Sequence, residues 1–353
     1  MALDARFKKM TGAGAGEEFI ETPAEIEHAS LDEAPEPEGY VGPDTRGLGE
    51  MKTPPEHFRA ELEALDETLK ERPDNQWLEM WRSLIANRAA LVSLIFILIL
   101  VIIAAIGPYI TPYNPLVTDL PNAFQPPSSA HWFGTDQLGM DIFSRVIAGT
   151  RVSLVVGIVA VAIALSTGIA LGAISGYVGG WVDTFIMRIM DIMLSVPSIL
   201  LAITLMAALG KGIDKAVIAI GLVSIPEYAR IVRGNILSIK ENDYVAAAKL
   251  VGNSQMRIIF RHVLPNTLSV IIVRATLGIS SAILDTAALG FLGMGVQPPQ
   301  PEWGDMLGRA RGFIFQAPYT LIFPGAAITL TVLAFNLLGD GLRDALDPKA
   351  RIK

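Results

Sequence analysis

Between Val152 and Gly180 the chain carries no charged side chain. That run constrains the fold more than any other feature. As an α-helix rising about 1.5 Å per residue, it is long enough to cross a hydrocarbon layer about 30 Å thick. Ala89 to Ile110 is a second uncharged run, dense in Ile and Leu. The composition agrees, with 51% hydrophobic and 18% charged residues over 353 positions, the balance of a membrane protein. Cysteine is absent, which excludes disulfides, thiolate chemistry and cysteine metal sites.

Four more apolar stretches follow the same logic: Phe185 to Gly210, a stretch from Ala216 through Glu227, Arg230 and Arg233, Thr267 to Phe291, and Ala317 to Leu338. The expectation is an all-α integral membrane protein with six transmembrane helices. Residues 111–150, polar with Pro and Gly clusters, form an external loop, and residues 151–340 form the membrane core. Six spans place both termini on one side. Thirteen basic residues fall on that side, from Arg82 to Lys353, against six opposite. This asymmetry puts the termini in the cytoplasm and the chain in the cytoplasmic membrane.

Charge is unevenly spread. Residues 1–80 hold 20 acidic and 8 basic side chains, and the remainder holds 15 and 20. Residues 1–52 are rich in Glu, Pro, Gly and Ala and bury too little apolar surface to offset ordering entropy, so disorder is predicted. No apolar segment there has the length of a secretory signal. Thr53-Pro54-Pro55-Glu56 fits a capping box, and Phe58, Leu62, Leu65 and Leu69 share one face of a short amphipathic helix near 54–72. Residues 1–77 thus read as an acidic cytoplasmic tail. Residues 78–110 read as a pre-membrane segment with the first span, and 341–353 as a cytoplasmic C-terminus. Gly12-Ala13-Gly14-Ala15-Gly16 has neither a preceding strand nor a following apolar helix, so it is no nucleotide loop. No GxxxxGK[ST] phosphate loop occurs, so the chain lacks that means of binding ATP.

A polar island interrupts the spans at 237–266. Asn242 or Asp243 can cap a helix start, Ala246, Ala247 and Ala248 keep the helix surface shallow, and Gly252 can end it in a left-handed cap. A second short helix fits Ser254 to Val263, stopped by Pro265. A short helix with a small surface, held between two spans, is a shape another protein can grip.

Charges within spans are costly and often functional. Arg188 and Asp191 are spaced to pair along one helix, as are Glu227 and Arg230. Arg274 and Asp285 share a face at about 16 Å, too far apart to pair. Arg274 either snorkels or lines a path. Asp285, beside Thr286 and one turn beyond Ser280 and Ser281, either lines a water-filled path or pairs with another helix or subunit. Gly168, Gly172 and Gly176 make a groove for a close helix neighbour. In the outer loop, His131, Asp136 and Asp141 lie among glycines and fit turns and caps better than a metal site. No Ser-His-Asp set or HExxH motif appears.

These residues carry a resemblance. The island resembles the coupling motif of ABC importer permeases, Glu-Ala-Ala, three residues, Gly, then about nine residues to Ile-x-x-Leu-Pro. Here Ala247, Ala248, Gly252 and His262-Val263-Leu264-Pro265-Asn266 match, while Ala246 replaces the Glu. Trp81-Arg82, Asn87-Arg88-Ala89-Ala90, His131-x-x-Gly134-Thr135-Asp136, Gly176-Tyr177-x-Gly179-Gly180-x-x-Asp183 and Gln297-Pro298-Pro299-x-Pro301-Glu302-Trp303-Gly304 look like the dipeptide/oligopeptide group. Leu338 to Lys349 is similar to the C-terminus of its C-type permease, and Met140 stands where that group commonly has Arg. The resemblance covers residues 78–353 and implies a type I (MetI-like) permease fold. It also implies a second homologous permease, two cytoplasmic ATPases that bind ATP and Mg, and an external substrate-binding protein. Nucleic acid and a cofactor of its own have no place in it. Contact with the ATPases falls on Asn242, Asp243, Tyr244, Ala246, Ala247, Ala248, Gly252 and Arg257, and the path on Glu227, Arg274, Ser281 and Asp285. Competing readings are an ion-coupled secondary transporter, an intramembrane enzyme, and an ABC permease for a nickel chelate or glutathione.

Overall fold

The computed structural model describes residues 76–346. The expected acidic tail, the helix near 54–72 and the last seven residues lie outside them. Among the described residues the architecture is helical. Helix α1 spans Gln76–Ala86, α2 Arg88–Ile110, α3 Ile142–Val178, α4 Gly180–Leu194, α5 Ser198–Leu209, α6 Ile213–Ile239 and α7 Asp243–Leu250. Helix α8 (Gln255–Ile258) continues through a π-turn (Ile259–Val263) into α9 (Leu264–Phe291), before α10 (Trp303–Ala310) and α11 (Tyr319–Leu346).

Helix α2 shows how such a chain treats apolar surface. Asn87 starts it by accepting the Ala89 and Ala90 amides at 3.1 and 3.3 Å. Ala90, Ile97 and Leu100 pack inward, while Val92, Ile95, Leu98 and Ile102 stay exposed, as suits a helix facing lipid. Gly341 of α11 abuts Ala90 so closely that a Cβ there would lie 2.4 Å from the alanine methyl.

Helices α3 and α6 form the central pair. The glycine groove of α3 holds α6: a Cβ on Gly168 would fall 2.5 Å from the Tyr228 Cβ, one on Gly172 2.5 Å from the Ala229 carbonyl, and one on Gly176 3.0 Å from the Arg233 carbonyl. Backbones meet there because no side chain intervenes.

Three expectations need correction. The second span begins at Ile142, ten residues before Val152, because Asp141 caps it and accepts the Ser144 amide at 2.8 Å. The third stretch is not one straight helix: α4 and α5 meet at 90° around Ser195–Pro197. Pro197 lacks an amide hydrogen and cannot continue α4, while its carbonyl accepts the Leu200 and Leu201 amides and starts α5. Pro265 does not end a helix. It sits in the first turn of α9, where a missing amide costs little, and the wider π-turn carries the chain into it.

By length and apolar composition four helices qualify as spans, or five if the bent pair counts as one. The charged side chains of α6 keep it outside that group.

Candidate functional site: an open helix face and charge pairs between helices

Helix α7 is fixed from behind. Val245 and Ala248, three apart, point the same way and join Val232, Ile236, Ile258, Val263 and Ile271 in one apolar cluster. This fastens the short helix to the ends of α6 and α9. Burying a side chain such as Val245 contributes about 1.5–3 kcal/mol.

At its start, Asn242 occupies the cap position, yet its side chain makes no capping bond. Its carbonyl accepts the Val245 and Ala246 amides instead. At its end, Gly252 adopts φ +83°, the left-handed conformation read from the sequence. Its amide returns to the Lys249 carbonyl at 3.0 Å, and the Asn253 amide to that of Ala248 at 3.2 Å. A Cβ on Gly252 would meet nothing within 4 Å, so the glycine serves the turn and leaves free space outside it.

The other face is open. Asp243, Tyr244, Ala246, Ala247 and Arg257 are exposed. Ala248, grouped with them in the sequence, is turned inward. Leu250 and Val251 are 89% and 83% exposed, and Met256 and Phe260 extend the apolar surface beyond them. Sequence reasoning missed these four. The signal was present: Tyr244, Ala247 and Leu250 are three apart, opposite the buried Val245–Ala248 stripe, where a solvated helix would carry polar groups.

The charges expected within spans pair between helices rather than along them. Asp191 of α4 meets Arg230 of α6 at 2.7 Å instead of pairing with Arg188. Glu227 of α6 meets Arg274 of α9 instead of Arg230. Arg233 donates from two nitrogens to both oxygens of Asp183, whose place in the Gly179-Gly180-x-x-Asp183 motif is thereby explained. Arg274 also lies over the Tyr228 ring, 5.9 Å from its centroid. Thus Glu227 and Arg274 are brought together. Ser281 and Asp285 lie beyond them along α9, and no hydrogen bond or ion pair reaches Asp285 among the described residues.

At the opposite end, the Gln297–Gly304 motif builds a plug. Buried Glu302 caps α10 by accepting the Gly304 and Asp305 amides, both at 2.8 Å. Trp303 is 1% exposed and donates its indole N–H to the Val146 carbonyl of α3 at 3.0 Å. Gly304 lets α10 touch α9: a Cβ would lie 2.4 Å from the Ala287 Cα. Burial pushes the Glu302 carboxyl up to about 7, against the pull of its two amide donors. Burial also raises Asp305, while its bond from Arg309 acts the other way. In the adjoining loop, Asp136 accepts the Leu138 and Met140 amides, and His131 bonds Asp141 at 2.9 Å, so these three serve turns and the α3 cap.

The described helices thus carry a short helix with one apolar face buried and the other open. Residues 168–352 match the family described as binding-protein-dependent transport system inner membrane component, and residues 75–127 match the N-terminal TM domain of oligopeptide transport permease C. The chain belongs to the first of these families, a multi-pass inner-membrane family, and is an ABC importer permease.

Named relatives narrow the class. The chain is 51% identical to the dipeptide transport system permease protein DppC of Alkalihalophilus pseudofirmus over 78% of this chain and 90% of that protein. It is 46% identical to the glutathione transport system permease protein GsiD of Escherichia coli over 83% of this chain and 97% of that one. An inward-facing MetNI methionine ABC transporter matches 58% of this chain and 98% of its own, with TM-score 0.49 and 18% identity.

Proposed function

We propose that this chain is one of two permease subunits of an importer for di- or oligopeptides. It works with a second homologous permease, two cytoplasmic ATPases that hold ATP and Mg, and an external substrate-binding protein. The dipeptide permease relative, 51% identical, supports the cargo. The observation that carries the mechanism is the pairing of faces on α7. Val245 and Ala248 fix it to α6 and α9, while Tyr244, Ala247, Leu250 and Val251 face outward.

A helix so held transmits force. Movement of an ATPase gripping the outer face would pass through the apolar cluster to the ends of α6 and α9. The Glu227–Arg274 pair joins those two helices higher up. The body is then a two-state element biased by its partner's nucleotide state. Asn242, Asp243, Ala246 and Arg257 frame this surface, and Gly252 shapes its end. Helix α6 serves as a sixth span because its charges are closed in pairs and its Tyr228–Ile236 face lies in the glycine groove of α3. Both termini then lie in the cytoplasm, in keeping with the excess of basic residues on that side. Glu227, Arg274, Ser281 and Asp285 line the path.

Purification in detergent followed by transport in proteoliposomes tests this reading. ATPase subunits should accompany the chain, and peptide uptake should require ATP. Purification without ATPases, together with uptake that runs without ATP, would defeat it. The glutathione permease relative favours one variation, a path for that tripeptide. Competition between glutathione and ordinary dipeptides in the same vesicles separates the two cargoes.

A further inference from the structure

We infer that Asp285 is a binding station for the α-ammonium group of the passing peptide. The inference rests on the peptide-importer reading above and adds to it which end of the substrate the path recognises.

Consider the charges of α4, α6 and α9 together. Asp183 has Arg233, Asp191 has Arg230 and Glu227 has Arg274. Asp285, half-buried within α9, has no such partner among the described residues. Charges at membrane depth cost several kcal/mol unless they find partners or water (about 2.5–3.5 kcal/mol for Asp on insertion scales). With the neighbouring pairs closed, Arg188 and Asp285 are the charges left over. Arg188 is exposed on α4 and makes no ion pair with Asp285 among the described residues, so the open partner position at Asp285 suits a cation from outside the chain.

Its position says where that cation comes from. Asn266, Val270, Arg274, Leu277, Ser281 and Asp285 recur at three- and four-residue intervals, so they share one face of α9. The inner half of that face walls an open cleft of about 570 Å³, closed on its other sides by Ile231 of α6 and by Arg343 and Leu346 of α11. Ser281 is exposed between the cleft and Asp285. The face therefore continues from a large cavity to the unpaired carboxylate.

The ligand class follows from chemistry. One carboxylate and a nearby hydroxyl fall far short of the six to eight oxygens, about, that calcium takes. They suit an ammonium, which offers three donors to acceptors on one side. Arg274 lies eleven residues from Asp285, about 16 Å along the helix. An extended dipeptide spans only about 7 Å, so it cannot reach both. Asp285 would then hold the amino end without help from Arg274 at the other.

The test uses the complete importer in proteoliposomes. Asp285→Asn should lower uptake of a free-amino dipeptide about tenfold, the worth of a charge-assisted hydrogen bond. The complex should still assemble, and Asp285→Glu should restore most of the uptake. Because the chain has no cysteine, Asp285→Cys places one thiol in it. A water-soluble thiol reagent should label that thiol, and saturating peptide should slow the labelling. Unchanged uptake in Asp285→Asn would overturn the inference, as would a thiol that stays unlabelled in every nucleotide state. So would loss of assembly in Asp285→Asn but not Asp285→Glu, since the carboxylate would then pair with another subunit. If the wild type carries no peptide, the peptide reading itself has failed. If it does and Asp285→Asn matches it, only the station falls.

Discussion

Two polar interruptions between spans, 240–263 and 292–318, are built in opposite ways. The outer one is closed over α10 and its cap, although Leu292, Ile314 and Phe315 on either side of it stay exposed. Glu302 and Trp303 are each 1% exposed, Trp303 bonds the α3 backbone, and Gly304 lies against Ala287. The inner one is closed only behind. Val245 is fully buried, yet Leu250, Val251, Met256 and Phe260 point away from the body. Apolar groups left in water on such a segment fit the proposal that another protein covers this surface. Helix α10 with Glu302 and Trp303 is a finished piece of this chain's core. On the proposal above, the inner segment is half of an interface.

If that contrast is right, outer substitutions should act on stability and inner ones on coupling. The largest effect on the chain itself is expected from Trp303→Ala, which removes a buried aromatic and its indole bond. A loss of about 3–5 kcal/mol follows, seen as a sharply lower melting temperature or failed purification in detergent. A stable Trp303→Ala would show that α10 is not locked to α3.

Next comes Glu302. Its folded carboxyl titrates at about 7, above the ordinary 4.5. The fold therefore favours the protonated form. Stability from this group is complete below about 4.5 and is lost as pH rises through 7, by at most about 3 kcal/mol at 1.4 kcal/mol per pH unit. Glu302→Gln cannot ionise and should flatten that slope between pH 4.5 and 7 in thermal melts. An unchanged slope would assign it to other groups.

Gly172→Val should cost about 1–3 kcal/mol by overpacking, because its Cβ alone would lie 2.5 Å from the Ala229 carbonyl. The measurement is again a detergent melt. An unaffected variant would mean α3 and α6 can separate without loss.

These sites differ in how far the sequence revealed them. The glycine stripe of α3 and the cap at Gly252 were legible, because spacing and backbone freedom are local properties. The family motif gave the place of α7 for the same reason. What could not be read locally was which side of α7 faces inward, since Ala246, Ala247 and Ala248 are chemically alike and only packing against Ile236 and Ile258 distinguishes them. Ion pairing failed likewise. The intervals from Arg188 to Asp191 and from Glu227 to Arg230 invite pairs along one helix, worth about 0.2–0.5 kcal/mol each. The fold brings Arg230 to Asp191 and Arg274 to Glu227, and separations of 39 and 47 positions leave no trace in periodicity. The break at Pro197 is not legible locally: Phe185 to Gly210 reads as one apolar span, and the 90° meeting of α4 and α5 depends on packing that the local sequence does not show.

The smallest effect on stability should come from the inner face, and it tests the comparison most directly. Leu250 is 89% exposed and meets little of its own chain, so Leu250→Asp should change stability by no more than about 0.5 kcal/mol. Its effect should appear elsewhere. A charge placed in an apolar contact loses the buried area of the leucine and must itself be desolvated, which weakens association with the ATPases. ATPase recovery in a pull-down and ATP-dependent uptake should both fall at least tenfold, while the melt of the isolated chain stays put. Val245→Asp supplies the contrast. It buries a charge in the cluster behind α7, so the chain itself should melt earlier. If Leu250→Asp lowers the melt as much as Val245→Asp does, or leaves the ATPases bound, the face is ordinary surface or hidden core, and the two interruptions are not the opposites proposed.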